Sequence, residues 1–299
     1  MSLIDLSVKI GELELKTPIV LASGTCGYGI ELKGITDFGA VGAITIKGVS
    51  LTPKEGNPPP RIFETPCGVL NRIGLENPGI EKVLELMPEM RKPGVPLIAN
   101  LHAETVEDFK KLAALCMDFD AIELNLSCPN VKEGGIAWGK DPSLAGRVTG
   151  EVRKVTKKTL IVKLTPNTDR LEDVALACEE AGADALSLVN TYQGMEIDLD
   201  TWEAWRGGLS GPAIRPLALF AVRRVYEKVK IPLIGMGGIK DEYDAIKFFL
   251  AGASAIGLGS IMLRDPEAPK HVLSGIIKYL KERNLHGIRD IKGRLRWKD

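Results

Sequence analysis

Eight short apolar runs recur along the chain, each followed by turn residues or by a charged amphipathic stretch: 18–23, 41–47, 96–101, 121–127, 160–164, 185–190, 232–237 and 255–259. They are nearly continuously apolar rather than alternating, the pattern of strands buried on both faces in a parallel sheet. Between them, apolar residues recur at spacings of three and four over 105–117, 142–156, 171–181, 214–229 and 242–251. That periodicity predicts helices on the outside of the sheet. Gly-Ala steps at Gly182-Ala183 and Gly252-Ala253 supply the left-handed helix end that precedes the next strand. The alternation predicts an α/β fold, a (β/α)8 TIM barrel with inserted loops over the C-terminal face of the strands, as one domain over 1–299. Three stretches, 51–79, 129–141 and 191–212, fit neither strand nor outer helix and are expected to be loops on that face.

Composition narrows the partners. Lys plus Arg and Asp plus Glu both total 39, so no net field draws nucleic acid or an anionic membrane. No run reaches the roughly 18 apolar residues of a membrane span, and the first residues lack a secretory pattern, which predicts a cytoplasmic protein. The five cysteines, at 26, 67, 116, 128 and 178, form no C-x-x-C pair, so neither a disulfide framework nor a metal site is expected.

The strand ends carry the candidate chemistry. Strands that are apolar along their length finish in Ser23, Lys47, Asn100, Asn125, Lys163 and Asn190. Burying such groups without partners is costly, so their convergence on one rim predicts a polar ligand. The last two strands run into Gly235-Met236-Gly237-Gly238-Ile239 and Gly257-Leu258-Gly259-Ser260, glycine turns at the place where barrels hold a phosphate. A dinucleotide-binding fold is excluded, because no strand, G-x-G-x-x-G turn and helix occur in succession. Cys128 follows the fourth strand in Asn125-Leu126-Ser127-Cys128-Pro129-Asn130. With only three histidines, none in a pairing motif, a Cys-His nucleophile is poorly supported, and a cysteine general base fits better. Lys47 and Lys163, if close, would favour its thiolate.

At these residues the sequence resembles the dihydroorotate dehydrogenases, in particular the type 1B catalytic subunits, over nearly its whole length. The resemblance rests on Ala22-Ser23-Gly24-Thr25 with Gly27-Tyr28-Gly29, Thr45-Ile46-Lys47-Gly48-Val49-Ser50, Gly56-Asn57-Pro58, Asn71-Arg72-Ile73-Gly74-Leu75, 125–130, Val189-Asn190-Thr191 and Gly208-Leu209-Ser210-Gly211-Pro212. It implies an FMN enzyme that oxidises (S)-dihydroorotate to orotate in pyrimidine synthesis. Cys128 would take the C5 proton while hydride passes from C6 to the flavin. By the same resemblance Ser23, Lys47, Gly48, Asn100, Asn125, Lys163, Val189, Gly211, Gly237, Gly238, Gly259 and Ser260 contact FMN, the last four around its phosphate. Lys47, Asn71, Arg72, Ile73, Gly74, Leu75, Asn125, Asn190 and Thr191 hold substrate. The type 1B pattern further implies a homodimer joined to an electron-transfer subunit carrying FAD and an iron-sulfur cluster, a heterotetramer that reduces NAD+. Cys26, Cys67 and Arg72 depart from the family's wording.

Other readings share parts of this pattern. The fumarate-linked type 1A enzymes also use cysteine. FMN barrels acting on dihydropyrimidines or dihydrouridine share the glycine turns, but Lys47 and the asparagines suit a carboxylated pyrimidine better. A flavin-free phosphate-binding isomerase or lyase barrel would leave the purified protein colourless, and a non-catalytic scaffold would leave the polar rim unexplained.

Overall fold

The computed structural model describes residues 4–126 and 138–298. Eight parallel strands close a barrel in sequence order: β1 (Ile19–Leu21), β2 (Ala43–Thr45), β3 (Leu97–Leu101), β4 (Ala121–Asn125), β5 (Thr159–Lys163), β6 (Ala185–Leu188), β7 (Leu233–Met236) and β8 (Ala255–Leu258). Each of the eight apolar runs contributes one strand. The helices are α1 (Ile80–Glu85), α2 (Met87–Met90), α3 (Val106–Leu115), α4 (Pro142–Val155), α5 (Leu171–Glu180), α6 (Arg215–Tyr226), α7 (Glu242–Ala251) and α8 (Ala268–Glu282).

The five helices predicted from periodicity are α3 to α7. Three of them start on an acid or hydroxyl cap: Thr105 accepts from the Asp108 amide, Asp141 from Leu144 and Asp241 from Asp244. Such caps satisfy amides that have no partner within the helix. Helix α8 completes the ring through Val272, Ile276 and Leu280, buried at four-residue spacing. No helix among the described residues is long and apolar enough to cross a membrane.

Side chains alternate along each strand, so every second residue enters the barrel. Val20, Ala43, Ile98, Ala121, Ile161, Ala185, Ile234 and Ala255 form one inner cluster with Ile10, Leu13 and Leu15. The last three belong to an antiparallel hairpin, Val8–Ile10 with Leu13–Leu15, that packs its apolar face on the inner cluster. Its turn needs glycine. Gly11 has φ 57°, and a Cβ there would lie 2.8 Å from the Asp184 Cβ. The hairpin is too short to show as a periodic run.

Two stretches expected to be loops contain strands instead. Ile62–Thr65 and Gly68–Asn71, inside 51–79, join Tyr192–Ile197 and Ala204–Ser210, inside 191–212, in a four-stranded antiparallel sheet. These strands are glycine-rich and half exposed, so no continuous apolar run marks them. Their central pairing, Gly208 opposite Asn71 and Ser210 opposite Val69, joins segments far apart in the chain. Of the third stretch, 129–141, only 138–141 are described, with a single turn over Trp138–Lys140.

Candidate active site

Two residues beyond the inner apolar layer, five of the eight strands place a polar residue inward: in strand order Thr45, Asn100, Glu123, Lys163 and Ser187, all buried. One carboxylate organises them. Glu123 is 2% exposed and accepts from Asn100 Nδ2 through Oε1 and from the Ser187 hydroxyl through Oε2, both at 2.6 Å. Asn100 Oδ1 in turn accepts from Asn125 Nδ2 at 3.3 Å. The chain from Ser187 through Glu123 and Asn100 to Asn125 fixes which way each amide faces. Asn125 stands opposite Lys163 across β4 and β5. Lys163 is 5% exposed and has no hydrogen bond or ion pair among the described residues.

Beyond β2 the backbone turns along β3, with the Val49 amide donating to Asn100 O and the His102 amide to Val49 O, both at 2.9 Å. This run holds Gly48 against Asn100: a Cβ on Gly48 would lie 2.9 Å from Asn100 Oδ1. Lys47, one residue earlier, reaches Glu76 at 3.3 Å, and Arg61 reaches the same carboxylate oxygen at 2.7 Å. Hydrogen bonding and attraction from Lys47 hold the Glu76 carboxyl below its usual range. Lys47, Glu76, Tyr28, Lys54, Glu55, Asn77 and Pro78 line a cavity of ≈ 310 Å³. The Tyr28 hydroxyl is buried without a hydrogen-bond partner among the described residues, and burial with nearby Glu31 and Glu76 pushes its pKa up to about 12.

On the opposite side of the rim, the glycine turns pack backbone on backbone. Gly238, at φ 78°, would place a Cβ 2.6 Å from the Gly211 carbonyl oxygen, and a Cβ on Gly211 would meet Gly68 Cα at 2.7 Å. Gly237, at φ 125°, would put one 2.7 Å from Ala218 Cβ and 3.1 Å from Val189 Cγ2. Val189 is tied to β7 by its amide, which donates to Met236 O at 2.9 Å. Gly259 has room: its hypothetical Cβ would have Ala22 Cβ as nearest neighbour at 3.7 Å. Ala22 donates to Leu258 O at 2.8 Å, which brings Ser23 beside the Gly259-Ser260 step.

The antiparallel sheet supplies a wall. Asn71 Nδ2 donates to Gly208 O at 3.1 Å. Thr191 lies beside Gly208, so close that a Cβ there would fall 2.1 Å from Thr191 Oγ1. Ile73, Gly74 and Leu75 form the return to the rim, anchored where Asn57 donates to Ile73 O and Asn77 Nδ2 to Leu75 O, with Gly74 and Leu75 both at positive φ. Asn190 follows β6, its amide donating to Leu164 O. The Arg72 guanidinium lies over the Trp205 ring at 5.2 Å, and Phe63 meets that ring edge-on at 4.3 Å. This cation–π contact gives the departure at Arg72 a packing role within the sheet.

Cys128 lies outside the described residues. Of the other cysteines, Cys26, Cys116 and Cys178 are buried, and burial pushes their thiols to about 11, 12 and 12, values of inert core residues. Cys67 is exposed. Sequence reasoning passed over Glu123, Ser187, Glu76 and Trp205. Glu123 leaves the clearest mark, a carboxylate inside the apolar run Ala121-Ile122-Glu123-Leu124.

A closed barrel with a cationic, amide-lined floor and a glycine notch beside its last two strands is the frame of a barrel enzyme acting on a polar ligand at its C-terminal face. The family model described as dihydroorotate dehydrogenase matches residues 5–280. Curated relatives match end to end. The chain is 47% identical to the catalytic subunit of dihydroorotate dehydrogenase B (NAD(+)) of Thermoanaerobacter pseudethanolicus, over 98% of this chain and 99% of that protein. It is 46% identical to the subunit of the same name from Geotalea uraniireducens and 45% to that of Desulforamulus reducens, in each case over 97% of this chain and 98% of the relative. The chain belongs to the dihydroorotate dehydrogenase family.

Proposed function

We propose that this chain is an FMN-dependent barrel that oxidises (S)-dihydroorotate to orotate, the catalytic subunit of an NAD-linked, two-subunit enzyme of pyrimidine synthesis. The observation that carries the reading is the ordered polar floor. Lys163 is buried without a partner among the described residues, beside amides whose orientation Glu123 fixes. A bound group with several acceptors satisfies such a floor, where apolar packing would leave an ammonium unmatched.

The residues fit FMN. Ser23, Lys47, Gly48, Asn100, Asn125, Lys163, Val189 and Gly211 would contact the flavin, and Gly237, Gly238, Gly259 and Ser260 its phosphate. The close backbone contacts at Gly238 and Gly211 leave no room for side chains at these two turns. When bound, FMN supplies the hydride acceptor for C6 of the substrate.

The chain's own residues do the rest. Asn71, Asn125, Asn190 and Thr191 present amide and hydroxyl groups suited to the edges of a pyrimidine, and Lys47 a cation suited to the carboxylate. Ile73, Gly74 and Leu75 enclose the ring from the sheet side. Cys128 takes the C5 proton. Without that proton transfer, hydride loss from C6 would leave positive charge on the ring, so the two departures are coupled and base strength matters directly.

The relatives' name, catalytic subunit of an NAD(+) enzyme, supports a partner protein; in our reading that partner carries FAD and an iron-sulfur cluster, and this chain is a homodimer in a cytoplasmic heterotetramer. Replacing Cys128 by Ala tests the chemistry. FMN content should stay near one per chain while dihydroorotate oxidation falls by about 10² or more, the usual contribution of a positioned general base. Turnover near that of the unaltered chain would remove Cys128 from the mechanism. Reoxidation of the reduced chain by fumarate alone would favour the type 1A reading over the NAD-linked one.

A further inference from the structure

Lys47 faces an internal competitor for the substrate it is suited to bind. Its ammonium is held by Glu76 at 3.3 Å, and that carboxylate oxygen is shared with Arg61 at 2.7 Å. Arg61 does not depend on Glu76 for its own position, because its Nε donates to Asn57 O at 2.5 Å and its second terminal nitrogen to Glu55 O at 3.0 Å. Glu76 therefore has two cationic partners, one fixed in the loop and one at the rim of the barrel. Its side chain is 44% exposed and that of Lys47 25%, so the pair sits at the mouth of the cavity, within reach of an arriving anion.

The geometry points to a carboxylate exchange: Glu76 occupies Lys47 in the free enzyme, the carboxylate of the substrate displaces it, and Arg61 keeps Glu76 when Lys47 lets go. This inference rests on the proposed pyrimidine carboxylate substrate and adds a positioning residue, Glu76, that tunes selectivity for charged ligands. A free ammonium in this cavity would attract any small anion. Pairing it with a tethered carboxylate leaves the site open only to ligands that also gain from the amides and the ring contacts, so Glu76 raises selectivity at the expense of affinity. The Tyr28 hydroxyl in the same cavity lining, without a hydrogen-bond partner among the described residues, agrees with a pocket whose polar partner arrives with the ligand.

The two ends of the exchange respond to mutation with opposite sign. A partly exposed ion pair is worth up to about 1 kcal/mol, so E76Q, which removes the competing charge and keeps the shape, should tighten orotate about three- to fivefold. R61Q, which leaves Glu76 to Lys47 alone, should weaken orotate by about the same factor. Methyl orotate, the same ring without the charge, should bind both variants and the unaltered chain alike. Isothermal calorimetry of the flavin-loaded chain with each ligand reads all six affinities.

Opposite shifts for orotate with unchanged methyl orotate support the exchange. Orotate shifts of the same sign in both variants, no shift in E76Q, or equal shifts for ester and acid would overturn it and reduce Glu76 to a loop clamp. Failure of the unaltered chain to bind orotate would overturn the substrate reading together with the exchange.

Discussion

Replacing Glu123 by Leu should destabilise the protein by removing the one acceptor that two buried donors share. Asn100 Nδ2 and the Ser187 hydroxyl each reach Glu123 at 2.6 Å, and Asn100 and Ser187 are both 0% exposed, so water cannot replace the lost oxygens. A buried donor left without a partner costs about 1–3 kcal/mol. Release of a buried carboxylate offsets part of that, which leaves a net loss of about 2–4 kcal/mol. With an unfolding entropy of about 2.1 cal/mol/K per residue, the Tm should fall by about 3–6 °C. Gln at the same position keeps an acceptor for Asn100 and a group for Ser187 but loses the charge, and should cost about 1 kcal/mol. The assay is calorimetric unfolding of the unaltered chain and both variants, with urea unfolding as a check on two-state behaviour. Glu123→Leu should also release flavin more readily, since Asn100 and Asn125 lose the anchor that orients them. A Leu variant as stable as the Gln variant would refute the reasoning, because Glu123 would then be packed as a shape and not as an acceptor.

Gly238→Ala should leave the barrel folded but lower its FMN content at least about tenfold at limiting flavin, because the methyl group would meet the Gly211 carbonyl at 2.6 Å in a φ 78° backbone; full flavin occupancy by absorbance would contradict this. His102 is buried and its pKa is lowered from 6.5 to about 4, by burial first and by Lys54 second. The unfolded chain therefore takes up this proton before the folded one. The His102 contribution is complete above about pH 6.5 and falls as pH drops toward 4, by on the order of 2–3 kcal/mol; urea midpoints from pH 7.5 to 5 should fall more steeply for the unaltered chain than for His102→Leu, and parallel slopes would sink the idea. In a Cys128→Ala background, one thiol per chain, exposed Cys67, should react with a disulfide reagent before unfolding, while Cys26, Cys116 and Cys178 wait for denaturant; fast reaction of two or more would contradict their burial.

The barrel was legible because its strands are buried on both faces, and apolar runs such as Ile19 to Leu21 leave a clear mark. The antiparallel sheet was not, since its strands alternate exposure, contain Gly207 and Gly208, and pair segments 137 residues apart. At the site, Lys47, Asn100, Asn125 and Lys163 stood out as polar ends on apolar strands. Glu123 and Glu76 did not, because each acts through another side chain, and which side chains meet depends on strand register and loop return. The contact of Arg72 with Trp205 was equally hidden, because it depends on how the sheet brings the two segments together.

The most direct test of the central claim is the absorbance spectrum of the purified chain before and after anaerobic addition of (S)-dihydroorotate. The account predicts a yellow protein with about one FMN per chain whose visible band bleaches as orotate forms in equal amount. A chain that takes up no FMN on reconstitution, or a bound flavin that dihydroorotate leaves oxidised, would contradict it.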